Sequence, residues 1–175
     1  AAAEEYGALL EGVVPFTHAP GAQRRRLRIG YLSPDVREHV VLSFSYALMT
    51  ALDRSRFEVT VYALNAEDAY TEKVRQSVEH FRNLMQLSAE EAAHAIHRDG
   101  IDILVDLAGH TAARTLPILA HRPAPVQISG IGYFDTTGLS AVDYFLTDVH
   151  TDPVGENDTC FTEKLLRLPE SHLCY

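Results

Sequence analysis

Leu27-Arg28-Ile29-Gly30-Tyr31-Leu32-Ser33-Pro34-Asp35-Val36-Arg37-Glu38-His39 is the stretch that decides the fold. Leu27 to Leu32 reads as a buried strand, apolar on both faces apart from Arg28. Pro34 lacks an N–H and biases Ser33 away from the helical region, so a regular ladder ends there. Asp35 and His39 then occupy the turn into the next apolar segment. In an open parallel sheet, ligands bind at the carboxyl ends of strands, in the loops that feed the crossover helices. An acid and an imidazole therefore stand where such a sheet places its chemistry.

The same alternation of strand and helix continues along the chain. Val41 to Leu52 has Phe44, Leu48 and Leu52 at helical spacing, and Phe57 to Leu64 is a β-branched and aromatic strand. Thr71 to Phe81 reads as an amphipathic helix marked by Val74, Val78 and Phe81, with a short edge strand from Asn83 to Leu87. Ser88 with Glu91 three residues on is a capping box, and Asp99-Gly100 closes that helix. Ile101 to Leu107 is a continuous apolar run, as in strands covered on both faces. It empties into Ala108-Gly109-His110-Thr111. Thr115 to Ala120 is a short helix, broken by Arg122-Pro123-Ala124-Pro125. Val126 to Gly130 is a further buried strand, leading into the loop Gly132 to Gly138. Asp143 to Thr147 and Leu165 to Leu168 complete the sheet. The expected fold class is α/β, a Rossmann-like doubly wound parallel sheet of about six or seven strands.

Before the first strand, Ala1 to Leu10 reads as a short helix without a partner in this chain, and Val14 to Pro20 as an extended linker. The boundaries expected are a helical linker over 1–26 and a Rossmann-like lobe over 27–175. Arg24, Arg25, Arg26 and Arg28 read as a solvated cluster in that linker.

Composition narrows the partners. Of 175 residues, 46% are hydrophobic and 22% charged, ordinary usage for a globular chain with a sizeable core. The net charge of −9 argues against nucleic-acid binding, which needs a basic face. No apolar run approaches the roughly 18 residues of a membrane span, so no membrane partner is expected. Cys160 and Cys174, without a CxxC pair, suit a reducing cytoplasm.

Three loops follow strands and should share one rim: Asp35 with His39, Gly109-His110-Thr111, and Gly132 to Gly138. Any one of them could serve only to cap a helix, whereas convergent polar groups on one rim make a site. A GxGxxG after the first strand, a GxxxxGK[ST] and a GxSxG are all absent, which argues against dinucleotide, P-loop and hydrolase chemistry. His94 and His97 share a helix without an HExxH and read as a solvated face. No metal-ligand cluster is recognisable, so no metal is expected.

In order, RIGYLSPDxxxH, DGIDILVDLAGHT, RPAPVQ, IGYxxTTG and EKLLRLP strongly resemble the catalytic region of the O-linked N-acetylglucosaminyltransferase (SPINDLY-like) family over about residues 14 to 175. The resemblance implies the N-terminal half of a GT-B glycosyltransferase, with the C-terminal donor-binding lobe absent from this sequence. It implies a tetratricopeptide region upstream, a protein or peptide acceptor, and UDP-N-acetylglucosamine as donor without a metal.

Residue by residue, Asp35 and His39 match the family's aspartate and histidine beside the reacting sugar, candidates for the base or proton path. His18 matches a second active-site histidine arriving from the linker, and should fold back toward Asp35 and His39. His110 matches a cleft-wall position, with Thr111 beside it. Thr136, Thr137 and Gly138 match the loop lying against the donor's sugar and phosphates. Departures are Phe134-Asp135 within that loop, Val40 after His39, and Arg114 one residue ahead of the family's arginine. The implied activity is transfer of N-acetylglucosamine to Ser or Thr hydroxyls. The alternative is a degenerate lobe that binds a partner without catalysis.

Overall fold

Leu27–Ser33 forms β1, a central strand whose two faces are both covered by helices, which explains its apolar character. In the computed structural model, which describes residues 2–10, 12–19 and 25–174, β1 pairs in parallel with two neighbours. One is β2 (Phe57–Ala63), in register from Leu27 opposite Phe57 to Ser33 opposite Ala63. The other is β4 (Ile103–Asp106), from Ile29 opposite Ile103 to Leu32 opposite Asp106. With β3 (His80–Asn83), β5 (Val126–Gly130), β6 (Tyr144–Asp148) and β7 (Lys164–Leu168), the seven-stranded order is β3-β2-β1-β4-β5-β6-β7. Every pairing is parallel. The winding direction reverses between β1 and β4, the switch point where a crevice opens.

Alternation along the strands divides the core into two layers. Tyr31, Val61 and Val105 lie opposite one another in register and face α2 (Val40–Thr50) and α3 (Ala69–Ser77), packing with Met49 and Val74. Leu32, Tyr62 and Leu104 face the other way, against α4 (Ala89–Asp99) and α5 (Thr115–Ala120), packing with Ile96, Leu116 and Leu119. Each fully buried side chain of this kind contributes about 1.5–3 kcal/mol. Gly30 makes room on this second face: a Cβ there would lie 3.0 Å from the Tyr62 ring. The Tyr62 hydroxyl donates to Asp99 Oδ2 at 2.8 Å.

Local signals set several boundaries. Ser88 and Glu91 make the reciprocal capping box of α4, and Gly100 ends it at φ 65°, where a Cβ would be strained. The helix expected over Thr71 to Phe81 runs instead from Ala69 to Ser77, capped by Asp68. Val78 is already extended, and Phe81 pairs opposite Val61 in β3 rather than continuing the helix. The edge strand thus falls on His80–Asn83, three residues before the Asn83–Leu87 expected. The physical reason is the ladder: register with β2 outweighs a helical spacing that Phe81 happens to satisfy. The arginine cluster also differs. Arg24 lies outside the described residues, but Arg26 donates to Phe57 O and pairs with Glu79 at 2.6 Å. Arg28 sits 3.3 Å from Glu58 and donates to Asp99 O at 3.1 Å. Both side chains tie the sheet's amino edge together instead of pointing into solvent.

The N-terminal helix α1 (Ala2–Leu9) does have a partner in this chain, contrary to the sequence reading. Gly7 is buried against Gly138, and Tyr6 and Leu10 join the α4–α5 side of the core. A Cβ on Gly7 would meet Gly138 O at 2.1 Å, and one on Gly138 would meet Ala3 O at 2.2 Å. Two backbones touch because neither residue has a side chain, a contact that pattern along one helix cannot reveal. Gly7→Ala should therefore lower stability by about 1–3 kcal/mol despite the better helix propensity of alanine, because backbone cannot yield. Urea denaturation measures it, and a stabilised variant would show that α1 does not seat on Gly138.

Candidate functional site

β1, β4 and β5 are consecutive in the sheet, so the loops at their carboxyl ends share one rim, spanning about 10 Å at the usual strand spacing. In the first loop, Asp35 is only 8% exposed, its N–H donating to Ser33 Oγ at 3.0 Å. Its Oδ1 is 3.1 Å from Arg37 and 3.7 Å from His39 Nδ1. His39 is the N-cap of α2, and the Val41 N–H donates to its Nδ1 at 3.3 Å. A nitrogen that accepts carries a free lone pair, so the neutral ring holds its proton on Nε2. A groove of about 540 Å³, lined by His39, Val40, Tyr46, Tyr70 and Lys73 among others, opens beside it between α2 and α3.

The second loop is built on Asp106. This carboxylate has no exposed surface and accepts from Ala108 N (3.1 Å), Gly109 N (2.8 Å) and Ser129 Oγ (2.8 Å). Burial pushes its carboxyl above the usual range, opposed by those donors. Gly109, at φ 54°, turns the chain into a 3-10 turn over Gly109–Thr111, where the Thr111 hydroxyl donates to Ala108 O at 2.7 Å. His110 Nε2 donates to Thr137 O at 2.9 Å. Its ring stands edge-on to Tyr6 and Tyr133, at 5.3 and 5.2 Å.

The third loop leaves β5 through Ile131, a β-branched residue at φ 72° and hence a strained one. Gly132 follows, so close to the second loop that a Cβ would lie 2.1 Å from Leu107 O. Thr136 and Thr137 are buried on Glu163, itself 4% exposed. Thr136 Oγ1 donates to Glu163 Oε2 at 2.7 Å, and Thr137 N to Oε1 at 2.8 Å. The Thr137 hydroxyl bonds the same Oε1. The second and third loops are thereby welded into one wall, which α1 braces through Gly138 and Tyr6.

The family model for glycosyl transferase family 41 matches residues 9–174. The chain belongs to that family. A probable UDP-N-acetylglucosamine–peptide N-acetylglucosaminyltransferase SPINDLY of Hordeum vulgare is 41% identical over 161 residues, 89% of this chain and 17% of the relative. The UDP-N-acetylglucosamine–peptide N-acetylglucosaminyltransferase of Caenorhabditis elegans is 37% identical over 166 residues, 91% of this chain and 14% of the relative. The solved structure of a Thermobaculum terrenum O-GlcNAc transferase mutant superposes with TM-score 0.91 at 36% identity, covering 98% of this chain and 34% of that one. The chain thus spans about one sixth of the curated relatives' length, and its parallel sheet matches a Rossmann-like lobe of the solved transferase.

Within this family 41 lobe, His18 falls elsewhere than the sequence suggested, and Arg114, Thr136, Thr137 and Gly138 are engaged by the protein itself. His18 does not fold back on Asp35 and His39. Its Nε2 donates to Arg122 O at 2.8 Å, and its ring lies 5.3 Å from His97. Phe16 stacks on His97 at 4.2 Å and hydrogen-bonds His121 O, so the linker runs under the carboxyl ends of α4 and α5. That is the amino edge of the sheet, where the chain must arrive to begin β1. His97 is accordingly packed rather than solvated, while His94 remains exposed. Arg114 is on the correct rim, but its guanidinium donates to Met85 O and Leu87 O. Gly138 faces α1, and the Thr136 and Thr137 hydroxyls are engaged by Glu163. This loop shapes the wall instead of offering free hydroxyls.

Sequence reasoning missed Asp106, Glu163 and the buried Asp148–His172 pair. Backbone N–H groups of His172 and Thr151 hold the Asp148 carboxyl far below the usual carboxylate range. For Asp106 and Asp148 the available signal was an acid closing an apolar strand, where it must find donors or be expelled. Among the described residues, no group of three or more His, Cys, Asp or Glu side chains is arranged to hold a metal ion.

Removing Asp106 tests the wall. Asp106→Ala strands two buried N–H groups and should cost about 1–3 kcal/mol in urea denaturation. The pH dependence has a definite sign. A carboxyl raised by folding takes up a proton, so its contribution fades as pH rises from about 3.9 through the folded value. Asp106→Asn should flatten the stability profile there, and an unchanged profile would contradict the assigned burial.

Proposed function

We propose that this chain is the N-terminal catalytic lobe of a protein O-glycosyltransferase. In this reading it transfers N-acetylglucosamine from UDP-N-acetylglucosamine to Ser or Thr hydroxyls of a protein or peptide acceptor. A second, donor-binding lobe and an upstream tetratricopeptide array complete the enzyme. The observation that carries the reading is the Asp35–His39 pair beside the sheet's switch point, in a chain that belongs to family 41.

The reaction joins the acceptor's hydroxyl oxygen to the anomeric carbon, breaks that carbon's bond to the diphosphate, and releases the hydroxyl proton. His39 sits at the N-terminus of α2. The Asp35 carboxylate lies 3.7 Å from its Nδ1. In this reading the hydroxyl proton passes to the Asp35–His39 pair, directly or through water. Charge on the departing diphosphate is met by the positive end of the α2 dipole and by the donor-binding lobe, without a metal. The rim N–H groups of Ala108, Gly109 and Thr137 do not serve, because they are already bonded to Asp106 and Glu163.

A second reading, a non-catalytic binding module, draws on the third loop. Phe134 is 59% exposed, Asp135 adds a carboxylate beside it, and both threonine hydroxyls are already taken by Glu163. The two readings separate in the full-length protein. Transfer from UDP-N-acetylglucosamine to a Ser-containing peptide supports catalysis, and peptide binding without transfer supports the module.

In that protein, His39→Ala should depress turnover by roughly 10²-fold or more, the scale of a lost general base. Unchanged kinetics would remove His39 from the mechanism. The 175-residue chain alone should show no micromolar binding of UDP-N-acetylglucosamine in calorimetry. A half-site leaves the diphosphate facing water, where each remaining N–H counts for far less. Tight binding would mean that the donor site lies within this lobe.

A further inference from the structure

We infer that Asn65 is a positioning residue for the Asp35–His39 loop, assisted by Asp68 and Thr71; this rests on reading that loop as the reacting one. Val36 is completely buried, yet Pro34 has ended the ladder before it, so its backbone needs partners from outside the sheet. Asn65, just past the carboxyl end of β2, supplies both. Its Oδ1 accepts from Val36 N at 3.1 Å, and its Nδ2 donates to Val36 O at 3.1 Å. The amide thus imitates a strand partner for a residue that has left the strand. Thr71 Oγ1 adds a donor to the same carbonyl at 2.6 Å.

The second anchor is two residues on. Asp68 Oδ2 accepts from Glu38 N at 2.7 Å, while its Oδ1 accepts from Thr71 N at 2.8 Å and caps α3. One carboxylate therefore fixes the start of α3 and the far side of the loop together. Val36 and Glu38 are held, and the two groups of interest flank them: Asp35 immediately before the first anchor, His39 immediately after the second. The contacts Asp35 and His39 make with each other and with Arg37 do not tie the loop to the rest of the fold. That task falls to the β2–α3 connection. Asn65 is 6% exposed and engaged through both ends of its amide, so it acts on geometry and does not touch substrate.

Displacement of reacting groups by about 1 Å costs on the order of 10²-fold in rate. In the full-length protein, Asn65→Ala should lower kcat for sugar transfer to a Ser-containing peptide by about that factor, with little change in KM for UDP-N-acetylglucosamine. Because Asn65 acts through His39, its effect should vanish in a His39→Ala background, giving a strongly non-additive double-mutant cycle. Asn65→Asp keeps the acceptor for Val36 N–H but sets a carboxylate against Val36 O. Its activity, relative to the unsubstituted protein, should recover as pH falls and the carboxyl regains a donor. This variant carries the test if Asn65→Ala does not fold.

An Asn65→Ala enzyme within about twofold of the unsubstituted kcat, beside a crippled His39→Ala enzyme, would overturn the inference and leave the functional reading intact. Multiplicative effects in the cycle would overturn it as well, since Asn65 would then act independently of His39. If His39→Ala alone leaves transfer unchanged, the functional reading itself fails and the inference falls with it.

Discussion

The rim depends on a simple constraint: a carboxylate that leaves water must collect donors. Asp106, with no exposed surface, gathers two backbone N–H groups and a serine hydroxyl from β5. Glu163 gathers two threonine hydroxyls and an N–H from the following loop. Asp68, although exposed, ties the Glu38 N–H of the first loop to the start of α3. An unsatisfied buried charge would be prohibitive, so Asp106 and Glu163 dictate where their loops must lie. The loops at the carboxyl ends of these strands are irregular in sequence but not loose in structure, because their free backbone groups terminate on these acids. The sheet supplies the platform, and the acids convert it into a shaped surface.

Much of the platform could be read from residue order. β1, β2, β5 and α5 fall within a residue or two of expectation because their apolar runs and their breakers at Pro34 and Pro123 are local signals. The capping box at Ser88 and the left-handed Gly100 were likewise local. The boundary between α3 and β3 was not, since Phe81 fits a helical period and a parallel ladder equally, and only pairing with Val61 decides. The α1–Gly138 contact was beyond reach for the same reason, 131 residues separating Gly7 from its neighbour.

The site divides along the same line. Asp35 and His39 are four residues apart, and one turn suffices to bring them together. His18 is close to them in sequence but far in space, because the linker must enter at the edge where β1 begins. Its imidazole packs with His97 and donates to Arg122 O instead. Glu163 lay inside a recognised motif, but its role depends on a loop 26 residues earlier. Asn65 carried no signal at all, being a single polar residue at a strand end. What sequence could not supply was in each case a partner distant along the chain.

The seating of α1 bears on where this unit can be cut. The family match begins at residue 9, past Tyr6 and Gly7. Yet Tyr6 stands edge-on against His110, and Gly7 closes on the backbone of Gly138. A fragment trimmed to the family boundary would keep every strand and lose a piece of the wall beside the rim. It would bare the slot that α1 fills and free the glycine turn that α1 holds. The boundary drawn by shared sequence and the boundary drawn by packing are thus different surfaces, and excision should follow the second.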